Sequence, residues 1–372
     1  MKRKIVPLAM ILVLAFGGVL TFLACERPVQ EPTTFRIAFN MQEEWQREFG
    51  VSYPQVGIVA REDIALANPL FVSEVVSMIQ QSMNFAKDNP QAVANIVVNE
   101  LNSTELRNVA AIQTFVARDG ADIFNFQTAV EAQTAACAFL GRLSLGTIGG
   151  SVPDEEFYFN VPSDATIGTV EGSFGLHVPD GAPLIAAAHA FYTQSSVLYG
   201  QNQIYMNFVP TTGAAIGSAL VSGAADFALV PMNLAATRFN VLGTGGHRYV
   251  LVGIALWGIQ YLVENYAHTG GIDSLNDLVG EKIVAFQPNL TPGVVLETIL
   301  TQAGLSINRL DTPHSTLDPN AVNIYYHISN AAVRNAMLGR VAAFAGGARF
   351  ALLAEPMATE LLLMSEDDIY LE

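Results

Sequence analysis

The sequence predicts an α/β protein of two lobes, and three observations predict it. From residue 166 onward, short runs with strand-like composition alternate with segments whose apolar residues recur at helical spacing, a pattern typical of α/β units with largely parallel sheets. Several of these runs end in a small or proline-containing turn that leads into a helix. The 348 residues that follow residue 24 are too many for one ordinary core and suit two lobes.

The first 24 residues have the layout of a signal peptide. Three basic residues at positions 2 to 4 precede an uncharged apolar run from Ile5 to Leu23. The run ends at Ala24-Cys25, which resembles the lipobox of bacterial lipoproteins, although Phe22 stands where leucine is usual. The resemblance implies that Cys25 is lipidated and anchors the mature chain. An uncleaved apolar helix is the alternative, since about 19 apolar residues also span a bilayer, and both alternatives predict an extracytoplasmic, membrane-anchored protein.

Composition excludes several classes of partner. The formal net charge of −16 becomes −19 once Lys2, Arg3 and Lys4 are removed, and no run of basic residues follows. Nucleic acid and anionic lipid headgroups are therefore poor partners. Cys137 is the only cysteine besides Cys25, which excludes a multi-cysteine metal site by count. We expect Cys137 to lie in the core of a helix, and we expect no metal site because the six histidines lack ligand spacing.

The elements follow in order along the chain. Residues 25 to 34 contain two prolines among polar residues and predict a tether. Residues 69 to 145 predict a string of helices because apolar residues recur three and four apart. Asn102-Ser103-Thr104-Glu105 predicts a helix N-terminus ahead of Leu106. The predicted strands are Thr166–Val170, Gln203–Val209, Phe227–Val230, Tyr249–Ile254, Tyr261–Val263, Lys282–Phe286, Val322–His327 and Val341–Phe344.

Three strand-to-helix turns are candidate ligand-binding positions. Residues 178 to 183 precede a predicted helix at 184 to 191, residues 209 to 213 precede one at 214 to 221, and residues 286 to 293 precede one at 294 to 303. Helix N-termini present unpaired N–H groups, and ligands of open α/β sheets bind at the carboxyl ends of the strands. Such turns also connect α/β units that bind nothing, so a single turn does not identify a site.

Several segments together resemble a known family. They are Ser218–Pro231 with Asn233–Ala236, Leu256–Val263, Ile272–Val284, and Met337–Arg340 with Glu355-Pro356. In this order they resemble the solute-binding proteins of ABC importers, in the group for nitrate, sulfonates, taurine and thiamine-related pyrimidines. The resemblance covers most of residues 175 to 372. It implies a type II periplasmic-binding-protein fold in which each lobe is a mixed sheet flanked by helices. It also implies a monomeric receptor without cofactor or catalysis, which delivers a small molecule to an ABC permease and its ATPase.

The remaining segments resemble the same family in a rotated order. Met41–Trp45, Tyr53–Ala60 and Asn68–Val72 are similar to what normally follows the Glu-Pro segment, and residues 149 to 158 are similar to the usual C-terminal end. This order implies a circular permutation, with the old termini joined through residues 150 to 166. Lobe one would then span residues 59 to 258, and lobe two residues 35 to 58 plus 262 to 372.

The permuted order predicts where the lobes are hinged, where the chain ends lie and how the joining segment runs. Two crossings, near Trp257–Val263 and near Val56–Ala60, would hinge the lobes. The chain ends near Phe35 and Tyr370 should lie in one lobe within about 15 Å, since the termini of permutable domains are close. Residues 149 to 164 should run over the surface of lobe one with few long-range contacts.

The resemblance implies a ligand cleft lined by the strand-to-helix turns of both lobes. The residues expected there are Gly181, Ala182, Pro183, Thr211, Gly213, Pro231, Met232, Asn233 and Trp257 from lobe one, and Asn289, Thr291, Ser329, Asn330, Gly346 and Glu355 from lobe two, with Tyr53 and Gln55 at the second crossing. The glycines and prolines could equally serve backbone geometry, and Trp257 could fill core at the hinge. Glu355 could accept a hydrogen bond from a ligand or brace its turn.

The ligand and two other function classes stay open. Arg349 is the only arginine in a candidate turn, so a sulfonate or nitrate would rely on helix N-termini and one guanidinium. A planar heterocycle would use Trp257, Tyr53 and the amides, and it is slightly favoured. A sensory or structural lipoprotein with the receptor fold is one alternative. The other is an enzyme resembling the pyrimidine synthase of this fold group, but neither Lys87 nor Lys282 lies on a candidate turn and no Gly-x-Ser-x-Gly occurs.

Overall fold

The computed structural model describes residues 35–240, 246–265 and 271–364. By internal contacts the chain divides into Met1–Thr33 and Thr34–Glu372, and every described residue belongs to the second unit. The signal peptide, Cys25 and the tether lie outside the described residues, as do Tyr370 and Leu371. Within the described part of the chain, no helix is both long enough and apolar enough to span a bilayer.

The strands are β1 Phe35–Asn40, β2 Pro54–Arg61, β3 Gln127–Thr128, β4 Ser173–Pro179, β5 Ser196–Tyr199, β6 Asn202–Thr211, β7 Phe227–Pro231, β8 Tyr249–Trp257, β9 Gln260–Asn265, β10 Lys282–Phe286, β11 Ile307–Leu310, β12 Val322–His327 and β13 Phe350–Ala354. The α-helices are α1 Met41–Phe49, α2 Glu62–Ala67, α3 Pro69–Asp88, α4 Pro90–Asn95, α5 Val109–Ile123, α6 Ala129–Leu140, α7 Ala182–Thr193, α8 Gly213–Ser222, α9 Met232–Asn240, α10 Thr291–Gln302, α11 Asn330–Met337 and α12 Glu355–Leu363. A π-helical turn, Ile96–Glu100, follows α4, and short 3-10 turns occupy Leu145–Thr147, Glu155–Phe157, Leu275–Leu278 and Ala342–Phe344.

The strands form two mixed sheets. The six-stranded sheet has the order β1-β9-β13-β10-β12-β11, and the seven-stranded sheet has the order β3-β8-β2-β7-β4-β6-β5. Five strands correspond between them. In the seven-stranded sheet β6, β4 and β7 are parallel, then β2 is antiparallel to both β7 and β8. In the six-stranded sheet β12, β10 and β13 are parallel, then β9 is antiparallel to both β13 and β1. The two sheets therefore repeat one arrangement.

Two segments of the described chain pass from one sheet to the other. One is Gly258-Ile259, between β8 and β9, and the other is α1 with residues 50 to 53, between β1 and β2. The two segments touch, because the Gly258 N–H donates to the Tyr53 carbonyl at 3.2 Å. The second crossing lies earlier than expected, since β2 joins the seven-stranded sheet from Pro54, ahead of the lobe boundary that the sequence set at residue 59.

Local sequence explains where the helices begin and end. Asn40 caps α1 through its side-chain oxygen, and Gly50 ends that helix with φ 77°, a conformation that costs glycine little. Thr128 and Glu131 form a capping box at the start of α6. The central strands β2, β8, β9 and β13 are buried almost throughout, as expected for strands covered on both faces.

The helical prediction for residues 69 to 145 is confirmed by α3 to α6, and the helices predicted after the three turns are confirmed by α7, α8 and α10. Six predicted strands coincide with β6, β7, β8, β9, β10 and β12. Residues 102 to 105 do not start a helix, because Asn108 supplies the cap of α5 instead. The predicted strands include no counterpart of β1, β2, β3, β4, β5 or β11.

Two predicted strands are wrong. Thr166–Val170 forms no strand and is exposed except at Val170, so it has no buried face to pair. Val341–Phe344 contains a 3-10 turn, and the strand comes later, at Phe350–Ala354, where five consecutive residues are buried. Residues with strand-like composition form a strand only where the fold offers a pairing partner and a covered face.

Two further expectations are also wrong. Cys137 is exposed on α6, because the buried face of that helix is formed by Ala132, Ala136 and Phe139. Residues 149 to 164 are anchored rather than loose. The Asn240 side-chain amide donates to the Ser151 carbonyl at 2.5 Å, the Phe159 N–H donates to the Leu251 carbonyl, and Phe157 is fully buried.

Candidate functional site

In each sheet, the strand-to-helix turns lie along one edge. β4, β6 and β7 lead into α7, α8 and α9, and β10, β12 and β13 lead into α10, α11 and α12. In each sheet the parallel strands end at the same edge. The antiparallel strand beside them begins at that edge, where Val56 pairs with Pro231 and Gln260 pairs with Ala354. Both crossings leave from these edges, so the turns of one sheet face those of the other.

Asn233 joins the two sets of turns. It lies in the first turn of α9 and is 2% exposed. Its side-chain amide donates to the carbonyl of Asn289 at 2.7 Å and to that of Thr147 at 3.3 Å. Its side-chain oxygen accepts from the Thr291 hydroxyl at 3.0 Å. Asn289 and Thr291 belong to the β10–α10 turn. Asn233 therefore hydrogen-bonds two other residues of the predicted site across the interface.

Two more contacts cross between the turns. An added Cβ at Gly213 would lie 3.3 Å from the ring of Phe286, so glycine permits the close approach of β10 to α8. Asn330, at the start of α11, donates to Glu105 at 3.1 Å. Burial raises the pKa of Glu105 to about 7, opposed by the hydrogen bond from Asn330 and assisted by the charge of Asp180.

Asp180 is fixed by the segment that precedes α5. Its carboxylate accepts from the Ser103 hydroxyl, from the Thr104 N–H at 2.7 Å and hydroxyl at 2.8 Å, and from the Glu105 N–H at 3.2 Å. Asp180 also accepts from the Gly181 N–H at 2.8 Å. The predicted turn at residues 178 to 183 is therefore bound by residues 103 to 105, whose N–H groups and hydroxyls donate to Asp180.

Glu355, the first residue of α12, is a buried acid beside a second carboxyl group. It is 2% exposed, and burial raises its pKa to about 9, helped by the charge of Asp119 and opposed by Arg118. Tyr261 and Asp119 are the other side chains that act on the pKa of this carboxyl group. Arg118 binds Asp119 through Nε at 2.7 Å. Near neutral pH, Glu355 is therefore protonated beside the arginine-paired Asp119.

Several predicted residues carry buried polar atoms that have no hydrogen-bond partner among the described residues. They are Tyr53 Oη, Gln55 Oε1, Thr211 Oγ1 and Glu355 Oε2. The Tyr53 phenol has a raised pKa, caused by burial and by the charge of Glu355. Buried polar groups are normally satisfied by protein, water or ligand. All four residues lie at the facing edges, so this interface holds unused hydrogen-bonding capacity.

A cavity of about 760 Å³ lies beside the two crossings, and we call it the crossing cavity. Trp257 and Glu355 from the predicted set line it. The indole N–H of Trp257 donates to the Asn125 carbonyl at 2.7 Å, which fixes the ring. The other lining residues are Ile37, Asn40, Gln42, Glu43, Gln46, Ser52, Arg118, Asp119, Asp122, Ile123, Asn125, Gln127, Gly258 and Tyr261. The volume falls within the usual range of small-molecule sites.

The other predicted residues are placed as follows. Met232 is fully buried against β2, since an added Cβ at Gly57 would lie 2.9 Å from its sulfur. Pro231 ends β7, Ala182 and Pro183 begin α7, and Ser329 caps α11 with its hydroxyl. Gly346 is exposed and precedes β13, so it lies at the opposite end of that strand from Glu355. Arg349 also precedes β13, where it pairs with Glu281 and Glu264.

Sequence analysis missed the partners supplied by α5 and β9. Arg118, Asp119 and Asp122 lie on α5 and Tyr261 lies on β9, yet all four line the crossing cavity. Acidic residues and arginines ordinarily occur on the solvent-facing side of a helix. The sequence therefore contains no signal that would have separated them from other surface charges.

Comparison with known proteins adds little to this geometry. Neither a protein family model nor a curated protein matches the chain. Among solved structures the chain is similar to the Xanthomonas citri protein XAC2383 bound to ATP, with a TM-score of 0.30 and 12% identity. That likeness covers 49% of this chain and 64% of the other. Within the described residues, no group of three or more His, Cys, Asp or Glu could hold a metal ion.

Proposed function

We propose that this protein is an extracytoplasmic, lipid-anchored solute-binding receptor that delivers a small molecule to an ABC importer. It has no catalytic chemistry of its own. The proposal joins the signal-peptide layout and the family-like segments of the sequence to the paired sheets of the structure. Two sheets that repeat one arrangement and face each other through helix N-termini suit a receptor that closes over its ligand by rotation about two crossings.

The unpartnered polar atoms at the facing edges are the observation that carries the proposal. A buried hydroxyl or carboxyl without a partner costs about 1–3 kcal/mol, so such groups gather where a polar ligand satisfies them. Tyr53, Gln55 and Glu355 are each at least 97% buried. All three were expected at the ligand cleft from the sequence.

The circular permutation is part of the proposal. β1, the first described strand, pairs with β9 in the sheet that otherwise contains only strands after residue 260. The last described helix, α12, packs against both of these strands. The contact between the first and last described elements supports the rotated order of the family-like segments.

The charges favour a heterocyclic ligand over a sulfonate or nitrate. Glu105, Asp119 and Glu355 lie at or beside the facing turns, whereas Arg349 is paired away from them. Ionised carboxylates repel an anion, and carboxyl oxygens in either state accept hydrogen bonds from the N–H groups of an amine-bearing ring. A thiamine-related pyrimidine or a similar heterocycle is therefore the favoured ligand class.

A ligand screen with matched variants tests the receptor function. Residues 34–372 would be screened by thermal shift against pyrimidines, other vitamins, sulfonates and amino acids, because a ligand that binds only the folded state raises the melting temperature. For a ligand found in this way, Tyr53→Phe should weaken binding about tenfold through loss of one buried hydrogen bond.

The control is Tyr158→Phe. Tyr158 also carries a buried hydroxyl without a partner among the described residues, but it pairs with Leu251 near the start of β8, away from the facing edge. This variant should bind like the wild type. Equal losses in both variants, or no stabilising compound in any class, would contradict the receptor proposal.

A further inference from the structure

Four carboxyl groups supply hydrogen-bond acceptors to the crossing cavity: Glu43, Asp119, Asp122 and Glu355 line it. A carboxylate only accepts hydrogen bonds, and a protonated carboxyl group still has an accepting oxygen. One amide donor there is already used, since Asn40 donates to Glu43 at 3.3 Å. These carboxyl oxygens favour a ligand that supplies N–H groups.

The single guanidinium in the cavity is already engaged. Arg118 pairs with Asp119 at 2.6 Å and donates to the Thr359 hydroxyl at 3.3 Å. Glu43 and Asp122 are exposed at the rim. With Glu355 protonated, three carboxylates face one arginine, so the cavity carries a net negative charge that attracts a cation.

Two buried aromatic rings form part of the wall. Trp257 is 7% exposed and Tyr261 is 5% exposed. The Trp257 ring is held by its bond to Asn125, and the Arg118 guanidinium lies 5.8 Å from the centre of the Tyr261 ring. Aromatic faces attract cations and stack on planar groups. The wall therefore suits a flat ligand as well as a charged one.

A buried group points to a ligand independently of the acidic rim. Glu355 is 98% buried, it lines the cavity, and its Oε2 has no partner among the described residues. The groups that contact or face this carboxyl are Asp119, Arg118 and Tyr261. Its charge also raises the pKa of the Tyr53 phenol. An N–H donor that reached Glu355 would complete its hydrogen bonding.

We propose that the crossing cavity binds a small planar organic cation, such as an amidinium or a protonated amino-heterocycle, with its N–H groups on Glu355 and Asp119 and its ring against Trp257. The inference names the ligand class of the proposed receptor, and so it rests on that function. Because both crossings line the cavity, through Gly258 and Ser52, such a ligand would also touch the segments that join the two sheets.

Three probes of one shape test the ligand class. Benzamidine, benzamide and benzoate share a phenyl ring but present a cationic, a neutral and an anionic group. Calorimetry with residues 34–372 should show benzamidine binding at least tenfold tighter than benzamide, and no binding of benzoate. Equal affinity for all three, or preference for benzoate, would overturn the proposal.

Variants connect the binding to the cavity. Glu355→Gln removes the carboxyl group while keeping its shape, and should weaken benzamidine about tenfold at pH 8. Asp122→Asn at the rim should weaken benzamidine binding about threefold, as expected for an exposed ion pair.

The control is Asp88→Asn, at the exposed end of α3 and away from the cavity lining. It also removes one carboxylate charge and should leave benzamidine binding unchanged. Equal effects of Asp88→Asn and Glu355→Gln would indicate attraction by net charge alone and would refute the site.

The pH dependence gives a readout that a purely structural role of Glu355 would not produce. A bound cation stabilises the ionised carboxylate, so binding releases a proton from Glu355. Benzamidine affinity should rise between pH 6 and 9 in the wild type and stay flat in Glu355→Gln. If the screen above yields a neutral or anionic ligand whose affinity depends on Tyr53 while benzamidine does not bind, the receptor proposal survives and the cationic class fails.

Discussion

The first helical turns of α9 and α12 occupy corresponding places in the two sheets, yet they use their buried polar side chains differently. Asn233 in α9 has its amide nitrogen and oxygen both bonded, to Asn289, Thr147 and Thr291. Glu355 in α12 lies beside Asp119 and Tyr261 and has one carboxyl oxygen without a partner among the described residues. One turn is fully satisfied by the protein and the other is not.

The difference separates a structural contact from a binding position. A neutral amide that can donate and accept joins two turns without a charge to compensate. A buried carboxyl group is stable there only in its neutral form, and its environment changes when a proton or a cation arrives. We therefore assign Asn233 to holding the sheets together and Glu355 to the ligand, and three substitutions test this division.

The largest effect is expected from Asn233→Leu. The substitution leaves the Thr291 hydroxyl and the Asn289 carbonyl without their partner, which should lower the free energy of unfolding by about 3 kcal/mol. Thr237→Val is the matched control, since Thr237 bonds Thr147 and Asn233 but nothing in the six-stranded sheet. It should cost about 1 kcal/mol. Urea unfolding measures both, and similar losses would show that Asn233 does not join the sheets.

Next in size is the effect of Glu355→Gln on the pH dependence of stability. The pKa of Glu355 is raised from 4.5 to about 9 in the folded protein. Folding therefore favours the protonated form, and this stabilisation is complete below pH 4.5 and is lost as the pH rises toward 9. Relative to the variant, the wild type should lose up to about 1.4 kcal/mol per pH unit across this window. Denaturation of both proteins at pH 5, 7 and 8.5 measures the difference in their free energies of unfolding. A difference that stays constant with pH would show that Glu355 does not cause the pH dependence.

The smallest effect is expected from Asn330→Ala, at the start of α11. Loss of its hydrogen bond to Glu105 should cost about 1 kcal/mol or less, because the pair is only partly buried. The same bond lowers the pKa of Glu105, so its removal should move that pKa above about 7. Carbon-detected NMR titration of the Glu105 carboxyl measures the shift. An unchanged pKa would mean that the two sheets are not coupled at this contact.

The sequence by itself determined the class of fold and the positions of most helices. Periodic apolar residues define α3 to α6, and strand–turn–helix patterns define α7, α8 and α10, because these signals arise within a few neighbouring residues. The same local chemistry identified the turns at Gly213 and Thr291, and the family resemblance added Asn233. The structure brings all three residues to the facing edges. The signal-peptide layout, the lipid anchor and the importer remain predictions of the sequence.

Only the tertiary structure decided which elements pair and which polar groups meet. Phe35–Asn40 and Pro54–Arg61 become strands because partners 167 or more residues away in the chain pair with them, and such long-range pairing leaves little trace in local sequence. Asp119 and Glu355 are 236 residues apart in the chain, and no periodicity could predict that both line one cavity. Burial sets the protonation of Glu355, and burial is a property of the whole fold rather than of the residue.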